Sequence, residues 1–326
     1  MTSLLLLPGD GPGPSLTGIA ETVLSAVAGD IELVHGDIGF DAYERTGEYL
    51  PAETLDLARE CGTAICGPLN LYKDGFGKAV NLMDSLRGSL DLYATVRVFR
   101  TLLGDGDIHA TIWGSNTSRS FDVSETPDVD GITISKYISS GTYKRMMTRA
   151  LADLKASGKR RVDCITRDDL FPDSSGMFSE TFDGIFSGEG LETGHANIQR
   201  WASKVVRDPA AYEYLICADL YTNVAAGILA GLTGGNHLSP VGYVGDSVAI
   251  IVPGLMSTFD GVDPNNLNPT STILSVAMAL FNLGRKDEAE RVSDSLKGTY
   301  AAGILTPDVG GSSTQEAFMD AFLSRL

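Results

Sequence analysis

Short apolar runs alternating with amphipathic helical stretches are the feature that most restricts the fold of this chain. Leu4–Leu7 runs into a glycine-rich turn, and a helical pattern from about Ser15 to Ala28 follows. Ile31–His35 and Thr63–Gly67 read as further strands, with a helix over Ala52–Cys61 before the second. Strands that recur with helices between them call for an α/β sheet, because each crossover helix packs its apolar stripe back onto the strands. The pattern continues with a strand at Ile108–Trp113 and a polar, β-branched stretch over Ser118–Ile132 suited to a strand or hairpin excursion. A long helix over Gly141–Ser157 and a strand at Val162–Thr166 come next. The helical run Thr222–Leu232 stops at Gly234-Gly235. Asn268-Pro269 opens another helix, which places Ile273, Leu274, Met278 and Phe281 on one face until Gly284.

With 326 residues the chain is long enough for one large domain or two lobes. Its net charge of −17 opposes approach to nucleic acid or to an anionic membrane, so an anionic ligand must meet local arginines. No apolar stretch approaches membrane-spanning length, and no basic segment precedes Leu4–Leu7, which together lead to the expectation of a cytoplasmic protein. Cys61, Cys66, Cys164 and Cys217 lack metal-ligand pairing and read as buried thiols. His35, His109, His195 and His237 are scattered, without ligand spacing.

Three segments carry a family likeness: LLLLPGDGPGP at the N-terminus, SLRGSLDLYATVR at Ser85–Arg97, and ICADLYTNVAAGILAGLTGGNHLSP at Ile216–Pro240. They resemble the isocitrate/isopropylmalate dehydrogenase family over almost the whole chain. The resemblance implies a two-lobed α/β fold with a central mixed sheet flanked by helices. Residues 1–94 and 241–326 would form a large lobe carrying both termini, and 95–240 a smaller lobe with dimerisation helices. It also implies a homodimer in which Gln199 is donated to the partner's site. The turn Gly9–Pro14 fails the GxGxxG dinucleotide pattern at Pro14. It stays open here whether that turn serves a cofactor or only a tight strand-to-helix reversal.

The site positions implied by the resemblance hold unexpected residues. Arg87 and Arg97 fall on two substrate arginines, whose planar forks suit carboxylates, with pairing to helix carboxylates as the alternative. The third arginine position is Gly114. Asn81 falls on a substrate-contacting serine. The acid/base tyrosine and lysine fall on Phe121 and Arg167, neither of which exchanges a proton near neutral pH. The three metal aspartates fall on Gln199, Asn223 and Gly227, and the cofactor loop reads Pro253-Gly254-Leu255-Met256-Ser257.

In compensation, Arg167-Asp168-Asp169-Leu170-Phe171-Pro172-Asp173 adds an acidic cluster. Written as DDxxxD it is similar to the motif with which class I terpene synthases hold magnesium and a diphosphate. The expectation is that Arg167, with Arg87 and Arg97, holds an anionic or polarised group, that Asp168 or Asp169 acts as base or metal ligand with carboxyl pKa values raised in a partly dry pocket, and that Asp169 and Asp173 hold Mg2+. The alternative is solvated aspartates at a helix N-terminus. Arg87, Arg97, Asn81, Phe121, Gln199 and Asn223 would bind substrate. No nicotinamide cofactor is expected. The function expected is that of a repurposed enzyme without metal- and NAD-dependent decarboxylation, doing non-redox chemistry (cyclisation, isomerisation or elimination) on a prenyl diphosphate or other anionic small molecule in specialised metabolism. A non-catalytic regulatory subunit and a divergent NAD(P)-dependent dehydrogenase stay open beside it.

Overall fold

A computed structural model describes residues 2–73, 79–104, 106–116, 123–218, 220–254 and 267–326. The fold is mixed α/β, a large mixed sheet flanked by helices. It divides into two compact units: Met1–Leu92, Leu102–Asp105 and Thr233–Leu326 form one, Tyr93–Thr101 and Gly106–Leu232 the other.

In the first unit the strand Ser3–Leu7 pairs in parallel with Glu32–His35 on one side and Thr63–Cys66 on the other. That central place explains the unbroken leucine run, since both faces of a parallel strand are covered. Leu4 and Leu6 join a core with the helices Gly13–Val27, Thr270–Asn282, Lys286–Ala301 and Gln315–Leu323. Leu5 and Leu7 pack on the opposite face with Ile38, Leu82, Leu86, Tyr243 and Ile250. Ala249–Val252 extends the row in parallel beside Thr63–Cys66, and Val241–Val244 closes it antiparallel.

The Thr270–Asn282 helix departs from the one-faced pattern its sequence suggests. Thr270 through Ala277 are all buried, because the helix runs between Gly13–Val27, Lys286–Ala301 and the strands. Asn268 still accepts the Thr270 N–H at 3.0 Å, although Pro269 occupies the cap.

In the second unit the row runs Glu192–Asn197, Arg161–Thr166, Tyr214–Cys217, His109–Ser115, all parallel, with Ala94–Arg100 antiparallel at its end. Ile112, Ile165, Leu215 and Cys217 face the helices Ile198–Val205 and Tyr221–Leu232 through Trp201, Ala225 and Leu229. The Ser140–Ser157 helix packs against Pro172–Phe186, where the Tyr143 and Phe178 rings meet edge to face at 4.7 Å. A separate hairpin, Val123–Pro127 with Ile132–Lys136, accounts for the polar β-branched stretch. Among the described residues no helix is long and apolar enough to cross a membrane.

Candidate functional site

In the second unit four parallel strands end at one edge of the row, at Ser115, Thr166, Asn197 and Cys217. The antiparallel strand begins at that same edge, with Ala94 opposite Ser115. Carboxyl ends of parallel strands are where open α/β sheets place ligands, since backbone and following turns leave groups there without sheet partners. Asn116, directly after His109–Ser115, ties that strand to its antiparallel neighbour, donating to Ala94 O at 3.3 Å and accepting from the Thr95 hydroxyl.

Arg167 follows the Arg161–Thr166 strand directly. Its Nε donates to Asp169 Oδ1 at 2.8 Å. Asn197, at the end of the neighbouring strand, donates to that same oxygen at 2.6 Å and to Asp168 Oδ1 at 3.1 Å. The Asn197 side-chain oxygen meanwhile accepts the Gln199 N–H at 3.0 Å and so caps the Ile198–Val205 helix. One asparagine therefore ties the turn after one strand to the helix after the next. Residue pattern alone did not single it out, although an asparagine directly before an apolar-periodic run is a helix-start signal.

The acidic cluster differs from its expected form. Asp169 is half exposed, and its carboxyl pKa lies below the ordinary carboxylate value, led by the hydrogen bond from Asn197 and helped by Arg167. The raised pKa of a dry pocket is thus corrected: Asp169 is an ionised, solvent-facing partner of Arg167. Asp168 is exposed too. Asp173 sits in the first turn of Pro172–Phe186, where a carboxylate favours the helix dipole. Among the described residues no three His, Cys, Asp or Glu side chains gather where they could hold a metal ion.

The remaining candidates are placed as follows. Arg97 lies on the Ala94–Arg100 strand with its guanidinium 4.9 Å from the centre of the Phe99 ring. Gln199 and Asn223 are exposed on Ile198–Val205 and Tyr221–Leu232. At Gly114 a side chain would collide with Thr222, which fills the space an arginine would need. In the first unit Arg87 pairs with Asp84 one helical turn earlier and stacks 5.1 Å from the Tyr243 ring centre; burial lowers its pKa. Asn81 caps the Leu82–Ser89 helix, accepting the Asp84 N–H at 3.2 Å. Phe121, Leu255 and Met256 lie outside the described residues.

The turn Gly9–Pro14 is accounted for within the chain. A side chain at Gly13 would strike Pro8 O, and one at Gly9, whose φ is +70°, would strike Pro68 O. Asp10 is buried and accepts the Phe40 and Asn70 N–H groups at 2.7 and 2.8 Å. A polar cluster gathers elsewhere in the first unit, where Asn268 donates to Asp308 Oδ2 at 3.0 Å and His237 Nε2 lies 3.1 Å from the same oxygen.

The family model for isocitrate/isopropylmalate dehydrogenase matches residues 3–322. The chain belongs to that family. It is 28% identical to an isocitrate/homoisocitrate dehydrogenase of Thermus thermophilus, covering 99% of this chain and 98% of the relative. It is 26% identical to a 3-isopropylmalate dehydrogenase of Methanothermobacter thermautotrophicus, over 94% and 93% of the two chains. A β-decarboxylating dehydrogenase from Thermococcus kodakarensis superposes with a TM-score of 0.89 at 25% identity, covering 100% of this chain and 96% of that one.

These relatives overturn the expectation of non-redox chemistry. They are named for dehydrogenase activity, and nothing among them points to cyclisation, isomerisation, elimination or specialised metabolism. The expectation that a nicotinamide cofactor is absent has no support either. The family is one of enzymes.

Proposed function

We propose that this chain is a nicotinamide-dependent dehydrogenase of a 2-hydroxy acid carrying at least two carboxylates. The match of the isocitrate/isopropylmalate dehydrogenase family along residues 3–322 is the observation that carries the reading, and by resemblance Arg87 and Arg97 would fall on two of its arginine positions. Relatives are named for isocitrate, homoisocitrate, 3-isopropylmalate and 3-methylmalate, which are all acids of this class.

The residues aligned with the family's metal ligands do not fit a hard divalent cation. Gln199 and Asn223 are neutral amides and Gly227 has no side chain, whereas magnesium and manganese favour carboxylate oxygens. In the polar cluster of the first unit Asp308 is a partly exposed carboxylate able to accept from ribose hydroxyls, while Asn268 is buried, with its amide committed to Asp308, Tyr300 and Thr270. A bound nicotinamide would accept the hydride from the hydroxyl-bearing carbon. Arg97, backed by the Phe99 ring, would orient a substrate carboxylate through a planar fork that needs little reorganisation.

The test is reduction of NAD and NADP by the purified protein with isocitrate, homoisocitrate, 3-isopropylmalate and 3-methylmalate, with and without manganese. Growth of reduced-nicotinamide absorbance with one of these acids is the expected result. Acids that bind by calorimetry yet are never oxidised with either cofactor would overturn the reading.

A further inference from the structure

Asp153, on the helix Ser140–Ser157, holds a carboxyl that takes no part in the candidate site. It reaches the Tyr214 hydroxyl, whose oxygen lies 2.8 Å from Asp153 Oδ2 and 2.9 Å from Ala150 O, one turn earlier on that helix. Tyr214 is fully buried at the start of the Tyr214–Cys217 strand. A phenol has one proton, so it donates to one of these two acceptors at a time while its oxygen stays able to accept. The groups around the carboxyl come from several elements. Arg149 stands a turn earlier on the same helix, Trp113 contributes a buried indole N–H from the His109–Ser115 strand, and Lys159 precedes the Arg161–Thr166 strand, with Arg100 and Glu213 beside it. Lys159 commits its three N–H groups to His109 O, Thr111 Oγ1 and Glu213 O at 3.1, 3.0 and 3.1 Å, which leaves none for Asp153. Burial raises the Asp153 carboxyl above the ordinary carboxylate value, in spite of the donors Tyr214 and Trp113 and the charges of Lys159 and Arg149.

We propose that Asp153, Tyr214 and Ala150 form a proton-operated latch between this helix and the sheet. With Asp153 ionised, the Tyr214 hydroxyl donates to Oδ2. When the carboxyl takes up a proton from solvent, its O–H donates to the Tyr214 oxygen, and Tyr214 turns its own proton to Ala150 O. Both arrangements give the hydroxyl an acceptor without moving a heavy atom, because the two acceptors already stand at hydrogen-bond distance. Protonation of the carboxylate therefore leaves no donor unmatched, which is the usual penalty for a buried O–H. The neutral form ties strand to helix by two bonds in series and holds no charge away from water. The ionised form keeps one of those bonds and a partly desolvated charge, which Arg149 and Lys159 offset. Acidification thus tightens the contact. In sign, a carboxyl raised in the native state contributes stability that is fully present below its unfolded value of 3.8 and is lost as pH rises through the native value. The latch is independent of the dehydrogenase reading.

Carbon NMR of the Asp153 Cγ in selectively labelled protein follows the proton directly. Its titration midpoint is expected above 3.8. Tyr214→Phe removes a donor to the ionised form and is expected to move that midpoint further up. Amide hydrogen exchange along Ser140–Ser157, corrected for the intrinsic pH dependence of the chemistry, is expected to slow roughly 5-fold in the parent as the carboxyl gains its proton, the order of one net hydrogen bond. In Asp153→Asn, whose amide N–H stands in for the carboxyl O–H, exchange is expected to stay constant over the same range. All of these measurements stay below pH 8, because burial and the neighbouring Arg100 bring Lys159 down to about that value and its own titration would add a second signal. The parent and Tyr214→Phe decide the question even where Asp153→Asn fails to fold. A midpoint at or below 3.8, a midpoint unmoved by Tyr214→Phe, or exchange equally pH-dependent in the parent and Asp153→Asn overturns the latch.

Discussion

Asp308 shows how one residue's surroundings set its charge. Burial alone would raise its carboxyl pKa, but hydrogen bonds from His237, Thr306 and Asn268 outweigh that and bring it to about 2. A depressed carboxyl contributes stability that is fully present above its unfolded value near 3.8 and is lost as pH falls toward 2. Because the side chain is 38% exposed, solvent discounts the contribution to roughly 1 kcal/mol. Between pH 4 and 2 the parent should therefore lose more unfolding free energy than Asp308→Asn, a difference that chemical denaturation at each pH would measure; parallel losses would refute it. Such detail is hard to read in a sequence. His237 and Asp308 are 71 positions apart in number, and only folding makes them neighbours. Asn197 was nearer to legible, since its place before Ile198 and Trp201 marks a cap, but its second task depends on two strands lying side by side. Arg167, Asp168 and Asp169 were readable as a cluster, whereas their protonation was not, because exposure is a property of the fold.

Elements were more legible than contacts. The helix over Ala52–Cys61 and the strands at Leu4–Leu7 and Thr63–Cys66 follow from local periodicity, which needs no knowledge of partners. The Pro172–Phe186 helix was obscured by serine and glycine near its start, although Phe178, Phe182 and Phe186 recur every four residues and are all fully buried. Pro172 belongs to its first turn, where a missing N–H costs nothing, and so it begins a helix instead of ending order. The Gly9–Pro14 turn shows the converse, a motif whose meaning lies in packing. Because a methyl group at Gly13 would overlap Pro8 O, a backbone atom that cannot swing aside, Gly13→Ala should destabilise the protein by about 3 kcal/mol. Gly47, which opens on empty space, has no such clash. Urea denaturation of Gly13→Ala checks this, and a loss under about 1 kcal/mol would mean that the turn relaxes freely.

At the scale of the molecule, the family was legible from three segments while the chemistry was not. Replaced residues at Gln199, Asn223, Gly227 and Arg167 suggested that the parent reaction was gone, yet relatives along the full length are named for that reaction class. A list of missing side chains records what a site lacks; it does not record what the strand ends bring in, such as Arg167 and Asn197 meeting at Asp169. The proposal of a homodimer rests on surface left uncovered in the second unit. Leu220 and Val224, one turn apart at the start of Tyr221–Leu232, are 58% and 52% exposed, and Gly227 beside them faces open space. On the hairpin, Ile132 and Ile134 share one strand face at 63% and 67% exposed. Apolar groups concentrated in this way cost free energy in water unless a partner covers them, and a second copy related by a two-fold axis meets each patch with itself. Light scattering at micromolar concentration should give twice the 34.5 kDa chain mass. Val224→Asp would place two carboxylates against each other across such an interface and should shift the species toward monomer without lowering helix content. A parent protein that is monomeric at that concentration would refute the proposal, and a dimer indifferent to Val224→Asp would exclude this helix from the interface.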